Sequence, residues 1–524
     1  MADNKINLFF IFSLIAFFSF APIIVHAQIM VGPCDLFPNS PECTGDRDPV
    51  IVVPGIVGSF NMLSLFADIP SASWGPVPFY KIYQGLVSRL EAEGYVKNQD
   101  LFVAYYDWRK LNTDSAREFL APIIAQAKQK TGRVDIVAHS MGGLLVQQYI
   151  ASDQYTPGEI DQFVMLGTPN ESASAAYLPW EGGIFPSTWS VPVRFYIKGI
   201  HDALKKERNI EDVAPKSFRQ IFPSLKELLP VGNYIKKGDT ESSSIERNTF
   251  LEGLISVRDN LLNSDIGITT IAGSSNNTLD TVAVSDERSP ADQLLDCWRD
   301  GHSVQEVPVP NNPDGDTAVL KISALFGPNQ VTIENVVHDA LPEHAQNEAL
   351  QALGIISDKP NIFTYQEPKW LTGFVVLSPV DITITDENGK TVSKDTNDFG
   401  NDAFVDITSD GGTDDPKIII LQNLPEGKYT VHLTGTGAGP YTVITTHTNE
   451  STSESQILAG TTTLGKQESF TVTISDDGAE VSKIKRDGPD DDDDDHDGHH
   501  PKKIGHGKIL NAIIHKLKNL SDRH

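Results

Sequence analysis

A serine in a tight strand-to-helix turn has the surroundings best suited to chemistry. Residues 133–143 read Arg-Val-Asp-Ile-Val-Ala-His-Ser-Met-Gly-Gly, so an apolar strand runs directly into Ser140 and a helical pattern follows. Small residues at 138 and 142 let such a turn close and leave the serine side chain exposed. A helix beginning near Met141 would direct its first N–H groups at an oxyanion beside Ser140. We predict Ser140 as a nucleophile and Met141 as an oxyanion donor; an ordinary strand-to-helix connection is the alternative.

Such a serine needs a base. Its hydroxyl is a poor nucleophile until an imidazole takes its proton and a carboxylate orients that imidazole. In enzymes that use this turn, the acid and then the histidine follow the serine along the chain. His338 lies between a strand pattern and a helical pattern, whereas His344 falls inside that helix and His139 precedes the nucleophile. We predict His338 as the base, His344 as a surface or capping residue, and His139 as a packing residue of the turn.

The acid has two candidates in one turn. Residues 311–319 read Asn-Asn-Pro-Asp-Gly-Asp-Thr-Ala-Val. Asp316 is followed by threonine and an apolar residue, as at the end of a strand, whereas Asp314 before Gly315 is typical of a turn. We predict Asp316 as the acid and keep Asp314 as the alternative. Too few further oxygen ligands surround the pair to favour calcium, and no cysteine or histidine spacing in the catalytic half indicates another metal, so we predict no metal and no cofactor for the site.

A glycine-rich loop follows the first predicted strand. Residues 53–59 read Val-Pro-Gly-Ile-Val-Gly-Ser, and its two glycines allow the backbone to approach a substrate. We predict that the N–H of Ile56 completes an oxyanion hole with that of Met141. The loop lacks the Gly-Lys-Ser/Thr ending and the dinucleotide spacing, so nucleotide binding is not predicted.

The elements around these residues alternate between strand and helix. Strand patterns cover 50–53, 101–105, 133–138, 162–166, 267–272 and 331–336, and helical patterns cover 79–93, 115–128, a segment from 142, and 342–353. Continuous apolar strands between amphipathic helices predict a parallel sheet covered on both faces, with a site at the carboxyl ends of its strands. Residues 171–263 are aromatic-rich helical sequence interrupted by proline. They predict a cap over Ser140, with extra helical core as the alternative.

The carboxyl-terminal part has a different pattern. A chain of 524 residues is longer than one core usually serves, so we expect two domains with tails. Short Thr- and Val-rich runs between turn residues predict a β-sandwich over 363–480, which could bind a surface, a glycan or a partner, or act as a spacer. Residues 486–524 combine an acidic, His-rich spacer with a basic amphipathic tail that could contact anionic lipid at a membrane.

The amino terminus predicts export. An apolar run over 8–25 follows Lys5, and Val-His-Ala at 25–27 is a small-x-small cleavage pattern. Residues 1–27 are therefore predicted to be a signal peptide of a secreted or extracytoplasmic cell-surface protein, with an uncleaved membrane anchor as the alternative.

The cysteines indicate the redox compartment, and the net charge argues against one class of partner. Cys34 and Cys43 suit a local disulfide in an oxidising compartment, which would leave Cys297 unpaired. The net charge of −28 argues against nucleic acid as a partner, since phosphate binding needs clustered Lys and Arg.

Five motifs together resemble those of α/β-hydrolase lipases of the lecithin:cholesterol acyltransferase-like family. They are Pro-Gly-Ile-Val-Gly-Ser at 54–59, Tyr-Asp-Trp-Arg at 106–109, Ala-His-Ser-Met-Gly-Gly at 138–143, Leu-Gly-Thr-Pro-Asn at 166–170 and Gly-Asp-Thr at 315–317. The resemblance covers about residues 49–356 and implies an α/β-hydrolase domain acting on acyl esters. It implies that Ser140 attacks the ester carbonyl, His338 transfers the proton and Asp316 orients the imidazole.

Two positions depart from the family pattern. Thr317 stands where the family usually has the second glycine of Gly-Asp-Gly-Thr-Val, which bears on the assignment of the acid. Glu171 and Ser172 replace the glycine expected after Asn170, which bears on the pocket wall.

The leading function is a serine esterase, lipase or phospholipase whose substrate is a lipid or another acyl ester. A lipid acyltransferase that uses an alcohol acceptor is its nearest alternative. Transfer would require a site dry enough to protect the acyl-enzyme from water. A non-enzymatic cell-surface binding protein, in which the β-sandwich and tail bind and the hydrolase domain is a scaffold, is an alternative from another class. The order Ser, Asp, His along the chain favours the enzyme.

Overall fold

The computed structural model describes most of the chain from Arg47 onward. The described residues are 47–71, 73–186, 188–285, 288–304, 310–377, 379–406, 416–475, 478–482 and 485–486. The predicted signal peptide, the predicted disulfide between Cys34 and Cys43, and the predicted lipid-binding tail lie outside them. Everything described from Asp48 onward belongs to one compact unit.

A six-stranded parallel sheet forms the centre of the first part. The strands of this part are β1 (Val50–Val53), β2 (Leu101–Val103), β3 (Val134–His139), β4 (Ile160–Leu166), β5 (Ile235–Lys237), β6 (Thr240–Ser242), β7 (Gly267–Ser274), β8 (Asn276–Thr278), β9 (Val282–Ala283), β10 (Asn312–Gly315) and β11 (Asn329–Glu334). The central sheet has the order β11-β7-β4-β3-β1-β2, with every pair parallel. Strands β1 and β3 are buried along their whole length, as continuous apolar strands require.

Helices connect these strands. They are α1 (Met62–Ala67), α2 (Gln84–Ala92), α3 (Asn112–Ser115), α4 (Ala121–Ala127), α5 (Met141–Ile150), α6 (Val191–Glu207), α7 (Lys216–Ile221), α8 (Thr249–Ser256), α9 (Arg258–Leu262), α10 (Pro290–Leu295), α11 (Lys321–Ala324), α12 (Leu341–His344) and α13 (Gln346–Ala352). The parallel sheet with its helices fits the predicted α/β-hydrolase. The role of residues 171–263 as a cap stays a prediction.

Two predicted helices differ from the observed ones for local reasons. The helix predicted over 79–93 begins only at Gln84, and Phe79 has φ +58°, which excludes it from a right-handed helix. The helix predicted over 115–128 contains a π-helical turn at Ala116–Leu120. Pro122 follows this turn and has no N–H to donate, so the regular α-helical hydrogen-bond pattern is interrupted there.

The carboxyl-terminal part contains two antiparallel sheets. Its strands are β12 (Trp370–Leu377), β13 (Val380–Asp386), β14 (Thr391–Val392), β15 (Ala403–Asp406), β16 (Lys417–Gln422), β17 (Gly427–Gly435), β18 (Gly439–Asn449), β19 (Ser453–Thr462), β20 (Gln467–Ser475), β21 (Gly478–Val481) and β22 (Lys485–Arg486). One sheet has the order β15-β16-β12-β18-β19, and the other has the order β14-β13-β17-β20-β21 with β22 beside β20. The all-β region predicted after residue 363 is therefore present.

The three central strands of the five-stranded sheet are buried on both faces. Along β12 and β16, residues such as Phe374 and Ile419 pack in the core between the two sheets, whereas Val375 and Ile420 belong to the core of the α/β part. Successive side chains of a strand point to opposite faces, so this sheet is a layer shared by the two parts. No helix among the described residues has the length and apolar character needed to cross a bilayer.

Candidate active site

Ser140 occupies the turn between β3 and α5. Its backbone has φ 53° and ψ −130°, a conformation that a non-glycine residue adopts only where its surroundings impose it. The N–H of Ser140 bonds to the carbonyl of Leu166 at 2.8 Å, and its carbonyl accepts from the N–H of Gly143 at 2.9 Å. These bonds on both sides hold the strained turn. This backbone conformation directs the serine side chain away from the strand, at the carboxyl end of β3.

Two glycines allow the chain to pass close to this turn. A Cβ atom at Gly142 would lie 2.5 Å from the carbonyl oxygen of Pro54, so only glycine fits there. A Cβ atom at Gly55 would lie 2.8 Å from the Cβ of Ser140 and 3.4 Å from its Oγ. The loop after β1 therefore runs in contact with the serine, and Ile56 lines the same cavity as Ser140.

Two aromatic residues hold that loop in place. The hydroxyl of Tyr106 donates to the carbonyl of Pro54 at 3.0 Å, and the indole N–H of Trp108 donates to the carbonyl of Ser59 at 3.0 Å. Both side chains are fully buried, and Trp108 stacks on Phe222 with ring centroids 5.7 Å apart. The motifs at 54–59 and 106–109 are thus one structural unit, which fixes the position of the Ile56 N–H.

The structure places Asp316 against His338. Nδ1 of His338 bonds to Oδ2 of Asp316 at 2.8 Å, and the backbone N–H of His338 bonds to the Asp316 carbonyl at 2.6 Å. Oδ1 of Asp316 accepts from the N–H groups of Ala318 and Val319 at 3.1 and 2.7 Å, and the whole residue is inaccessible to solvent. Asp314, the alternative acid, is exposed and bonds to Lys321 at 2.6 Å. Only Asp316 of the two contacts the imidazole.

The electrostatic setting of His338 favours a base. Burial acts to lower the pKa of His338, but the charge of Asp316 and its hydrogen bond to the ring outweigh burial, so the pKa lies above its ordinary value. Because Asp316 occupies Nδ1, the nitrogen left for a proton from a hydroxyl is Nε2. The structure places His344 elsewhere: it is exposed at the end of α12, with its ring against Phe363.

His139 makes two hydrogen bonds through its ring, whereas the sequence predicted only that it packs against the turn. Nε2 of His139 lies 3.1 Å from the backbone carbonyl of His338, and its Nδ1 lies 2.9 Å from the hydroxyl of Tyr83. A carbonyl can only accept, so Nε2 carries the proton and Nδ1 accepts from Tyr83. The Tyr83 oxygen in turn accepts from the N–H of Gly55 at 2.8 Å. Tyr83 and His139 therefore join the loop after β1 to the loop that carries His338.

This arrangement needs an uncharged His139. Its burial, and then the neighbouring His338, hold the pKa of His139 well below its ordinary value, although its bond to the His338 carbonyl opposes this. Burial likewise raises the pKa of the Tyr83 hydroxyl, so it keeps its proton. Sequence reasoning missed Tyr83, which precedes α2 in a segment without a recognised motif.

Ser140 and His338 open into one cavity of about 310 Å³. Its walls include Ala173, Ala176 and Leu228 from the predicted cap, Val319 from the acid turn, and Trp189 before α6. Small ligand sites are typically apolar clefts of this size or larger, with a few polar groups that fix orientation. A serine on a strained turn and a histidine bonded to a buried carboxylate, both beside an apolar cavity, form an arrangement suited to acyl transfer.

The two departures from the family pattern have different outcomes. Thr317 adopts φ +84°, a left-handed conformation that favours glycine, and it lines the cavity beside Asp316. Glu171 is about half exposed and bonds to Arg258 at 3.1 Å. Thr317 thus has a left-handed backbone at the position where the family pattern has glycine, whereas the Glu171 carboxylate pairs with Arg258.

One carboxylate cluster in the described residues has a spacing that could hold a metal ion. The carboxylates of Asp48, Asp135 and Asp161 lie within 4.8 Å of one another, near the amino-terminal edge of the sheet. Arg133 bonds to Asp48 at 2.7 Å and to Asp161 at 2.9 Å. Because the guanidinium already supplies positive charge there, and because the cluster lies at the opposite edge from Ser140, it has no part in the site.

Comparison with known proteins gives one family match. The family model of lecithin:cholesterol acyltransferase matches residues 72–184, which include Ser140 but neither Asp316 nor His338. No curated protein matches the chain.

Solved structures of esterases resemble it only distantly. A lipase from Bacillus licheniformis in its propeptide form has 13% identity and a TM-score of 0.32, with 83% of this chain and 96% of that chain covered. An esterase from Rhodococcus sp. has 11% identity and a TM-score of 0.26, with 59% and 92% covered. Phospholipase PlaB from Legionella pneumophila has 10% identity and a TM-score of 0.23, with 78% and 91% covered. The family match confirms the resemblance that the motifs predicted: the protein is similar to the α/β-hydrolase lipases of the lecithin:cholesterol acyltransferase type.

Proposed function

We propose that the protein is a serine hydrolase that cleaves carboxylic esters of lipids through an acyl-enzyme. The observation that carries the proposal is that Ser140 and His338 line one apolar cavity, while the buried Asp316 bonds to His338. The chain supplies each role that acyl transfer requires: a nucleophile on a strained turn, a base with a raised pKa, and a buried acid bonded to that base. The family match over residues 72–184 supports the same class of chemistry.

The reaction follows from these roles. Oγ of Ser140 attacks the ester carbonyl while Nε2 of His338 takes the hydroxyl proton, and Asp316 stabilises the imidazolium that forms. The N–H groups of Ile56 and Met141 bind the oxyanion of the tetrahedral intermediate. His338 then gives its proton to the leaving alcohol, and water resolves the acyl-enzyme with the same histidine as base. Because hydrogen bonds already hold the serine turn and the loops around it, few protein groups have to move during the attack on the ester.

We also propose that residues 171–263 act as a cap over the nucleophile. This segment supplies Ala173, Ala175, Ala176 and Leu228 to the cavity that Ser140 lines, together with the first turn of α6. Such apolar walls suit a hydrocarbon chain, because burial of each methylene group is worth about 0.8 kcal/mol. The acyl chain of a lipid ester is therefore the substrate part that the cap would receive.

The test is hydrolysis of p-nitrophenyl esters of graded acyl length. Wild type should release p-nitrophenol, and Ser140→Ala should reduce kcat by at least about 10³-fold, since loss of a triad member removes most of the acceleration. Ser172→Ala, a nearby serine outside the cavity, is the matched control and should keep wild-type activity. Equal rates for wild type and Ser140→Ala would refute the proposal.

Acyl transfer is the second candidate, and the family match favours it. It differs only in the group that resolves the acyl-enzyme, an acceptor alcohol in place of water. Adding a long-chain alcohol to the ester assay decides between them. A transferase would form the ester of the added alcohol as its main product, whereas a hydrolase would continue to form free acid.

We further propose that the protein is exported, on the basis of the pattern over residues 1–27. Sequencing the amino terminus of protein recovered from the medium would test it. A start at Gln28 is the expected result, and a retained amino terminus in a membrane fraction would support the anchor instead. The lipid contact of residues 486–524 stays a prediction.

A further inference from the structure

One wall of the cavity is formed by the segment that begins α6. Trp189, Val191, Val193 and Arg194 from this segment line the cavity that also contains Ser140. The wall is mostly apolar, and Arg194, the one charged residue of these four, is buried with only 5% of its surface exposed. The position of this turn therefore determines the shape of the space beside the nucleophile.

The β-sandwich holds this turn by hydrogen bonds. Nη2 of Arg194 donates to the backbone carbonyls of Asn449 and Glu450 at 2.7 and 3.0 Å, at the end of β18. The backbone N–H of Val191 donates to the carboxylate of Glu367 at 2.7 Å, just before β12. Both Glu367 and Glu450 also line the cavity. The catalytic cavity thus includes residues from the second part of the chain.

Apolar packing reinforces these bonds along the helix. A Cβ atom at Gly373 of β12 would lie 2.5 Å from the ring of Phe195, so the helix rests directly on the strand backbone. One turn further, a Cβ atom at Gly199 would lie 3.4 Å from Oγ1 of Thr446 on β18. Side chains on this face of the sheet, among them Val375, belong to the core of the α/β part. The helix therefore has little freedom to move relative to the sandwich.

We propose that the β-sandwich is a structural part of the substrate cavity and determines its selectivity for acyl-chain length. The inference rests on the proposed ester hydrolysis and goes beyond it, because it assigns Glu450 and Arg194 to substrate selection. Glu450 lies at the mouth of the cavity, and Arg194 ties the apolar wall of α6 to the loop that carries Glu450. The face of the five-stranded sheet that covers α6 is therefore not a surface for a glycan or a partner.

The direct test is Glu450→Trp, assayed with p-nitrophenyl esters of increasing acyl length. Glu450 is exposed, so the substitution leaves the fold intact while its bulk narrows the cavity mouth. We expect KM for long-chain esters to rise by about fourfold for each methylene excluded, with kcat/KM for the acetate ester unchanged. Glu454→Trp, an exposed residue of β19 outside the cavity, is the matched control. An unchanged chain-length profile in Glu450→Trp would overturn the proposal.

A second variant tests the link through the helix. Arg194→Met removes the bonds to Asn449 and Glu450 and keeps an apolar stem of similar length. We expect the discrimination between short and long esters to change, while the acetate ester is still hydrolysed. Arg194→Lys should restore part of the wild-type profile. Arg208→Met, at the other end of the same helix and paired with Asp68, should leave the profile unchanged.

The outcomes separate the inference from the function on which it rests. If wild type hydrolyses none of the esters, the proposed function fails. If wild type hydrolyses them and Glu450→Trp keeps its chain-length profile, the sandwich takes no part in selection and the inference fails alone.

Discussion

Nε2 of His139 donates a hydrogen bond to the backbone carbonyl of His338, with 3.1 Å between nitrogen and oxygen. The residue before Ser140 thereby holds the loop that carries His338. Through Tyr83 the same imidazole is connected to Gly55, whose neighbour Ile56 is the proposed oxyanion donor. The proton positions are fixed by the chemistry of the end groups, since a carbonyl only accepts and a backbone N–H only donates.

This relationship predicts a catalytic effect of Tyr83→Phe. The substitution removes the acceptor of the Gly55 N–H and the donor to His139, and an unsatisfied buried polar group costs about 1–3 kcal/mol. We expect kcat to fall by about tenfold with KM little changed, because the loss affects alignment for the reaction. Steady-state kinetics with a short ester measures this.

Tyr196→Phe is the matched control for that experiment. The Tyr196 hydroxyl is also buried and donates to the carbonyl of Pro78 at 2.7 Å, and neither residue lines the cavity. It should lower stability similarly and leave kcat unchanged. If the two variants lose equal activity, Tyr83 has only a structural role.

The two carboxylates of the acid turn should behave differently. Asp316→Asn removes the charge bonded to His338 and should reduce kcat by about 10³–10⁴-fold. Asp314→Asn changes an exposed residue that pairs with Lys321 and should retain nearly full activity, since exposed ion pairs are worth about 0–1 kcal/mol. Comparable losses in both variants would count against the assignment of Asp316.

The pH dependence follows from His338. The pKa of His338 is raised above its ordinary 6.5, and only the neutral imidazole can take the serine proton. Activity should therefore be low in acid and rise through an apparent pKa above 6.5. In Asp316→Asn the residual activity should show this limb at lower pH, because the charge that raises the pKa is gone. A limb that stays in place would mean that another group controls it.

Thr317 should be a position of stored strain. Its φ of +84° costs a β-branched residue about 1–2 kcal/mol, of which glycine would recover a part after its own loss of chain entropy. We expect Thr317→Gly to increase the free energy of unfolding by about 0.5–1 kcal/mol in urea titrations. Thr332→Gly, at an exposed position of β11, should instead destabilise by a similar amount. A less stable Thr317→Gly would show that its contacts outweigh the strain.

The sequence predicted the sheet and the site unequally well, for physical reasons. Strand β1 was predicted at its observed bounds, because a strand buried on both faces is a continuous apolar run. The same signal was present in β16, where Lys417 is followed by Ile-Ile-Ile-Leu, and it could have indicated a sheet covered on both faces. That region was predicted only as a sandwich, so neither its contact with α6 nor the role proposed for Arg194 was predicted.

The site residues likewise differ in whether a local pattern or a long-range contact determines them. Ser140 stands in a motif that dictates its own turn, so its setting could be predicted locally. The acid depended on a contact between Asp316 and His338, 22 residues apart, which no local pattern could distinguish from one made by Asp314. Tyr83 had no signal at all, since its role arises only when distant loops meet.

The most direct test of the account is to identify the residue that carries the acyl group. A p-nitrophenyl phosphonate, which leaves a stable adduct on an activated nucleophile, should label wild type once, and peptide mass spectrometry should place the adduct on Ser140. Ser140→Ala should remain unlabelled. A label on another residue, or equal labelling of Ser140→Ala, would contradict the central claim that Ser140 is the nucleophile.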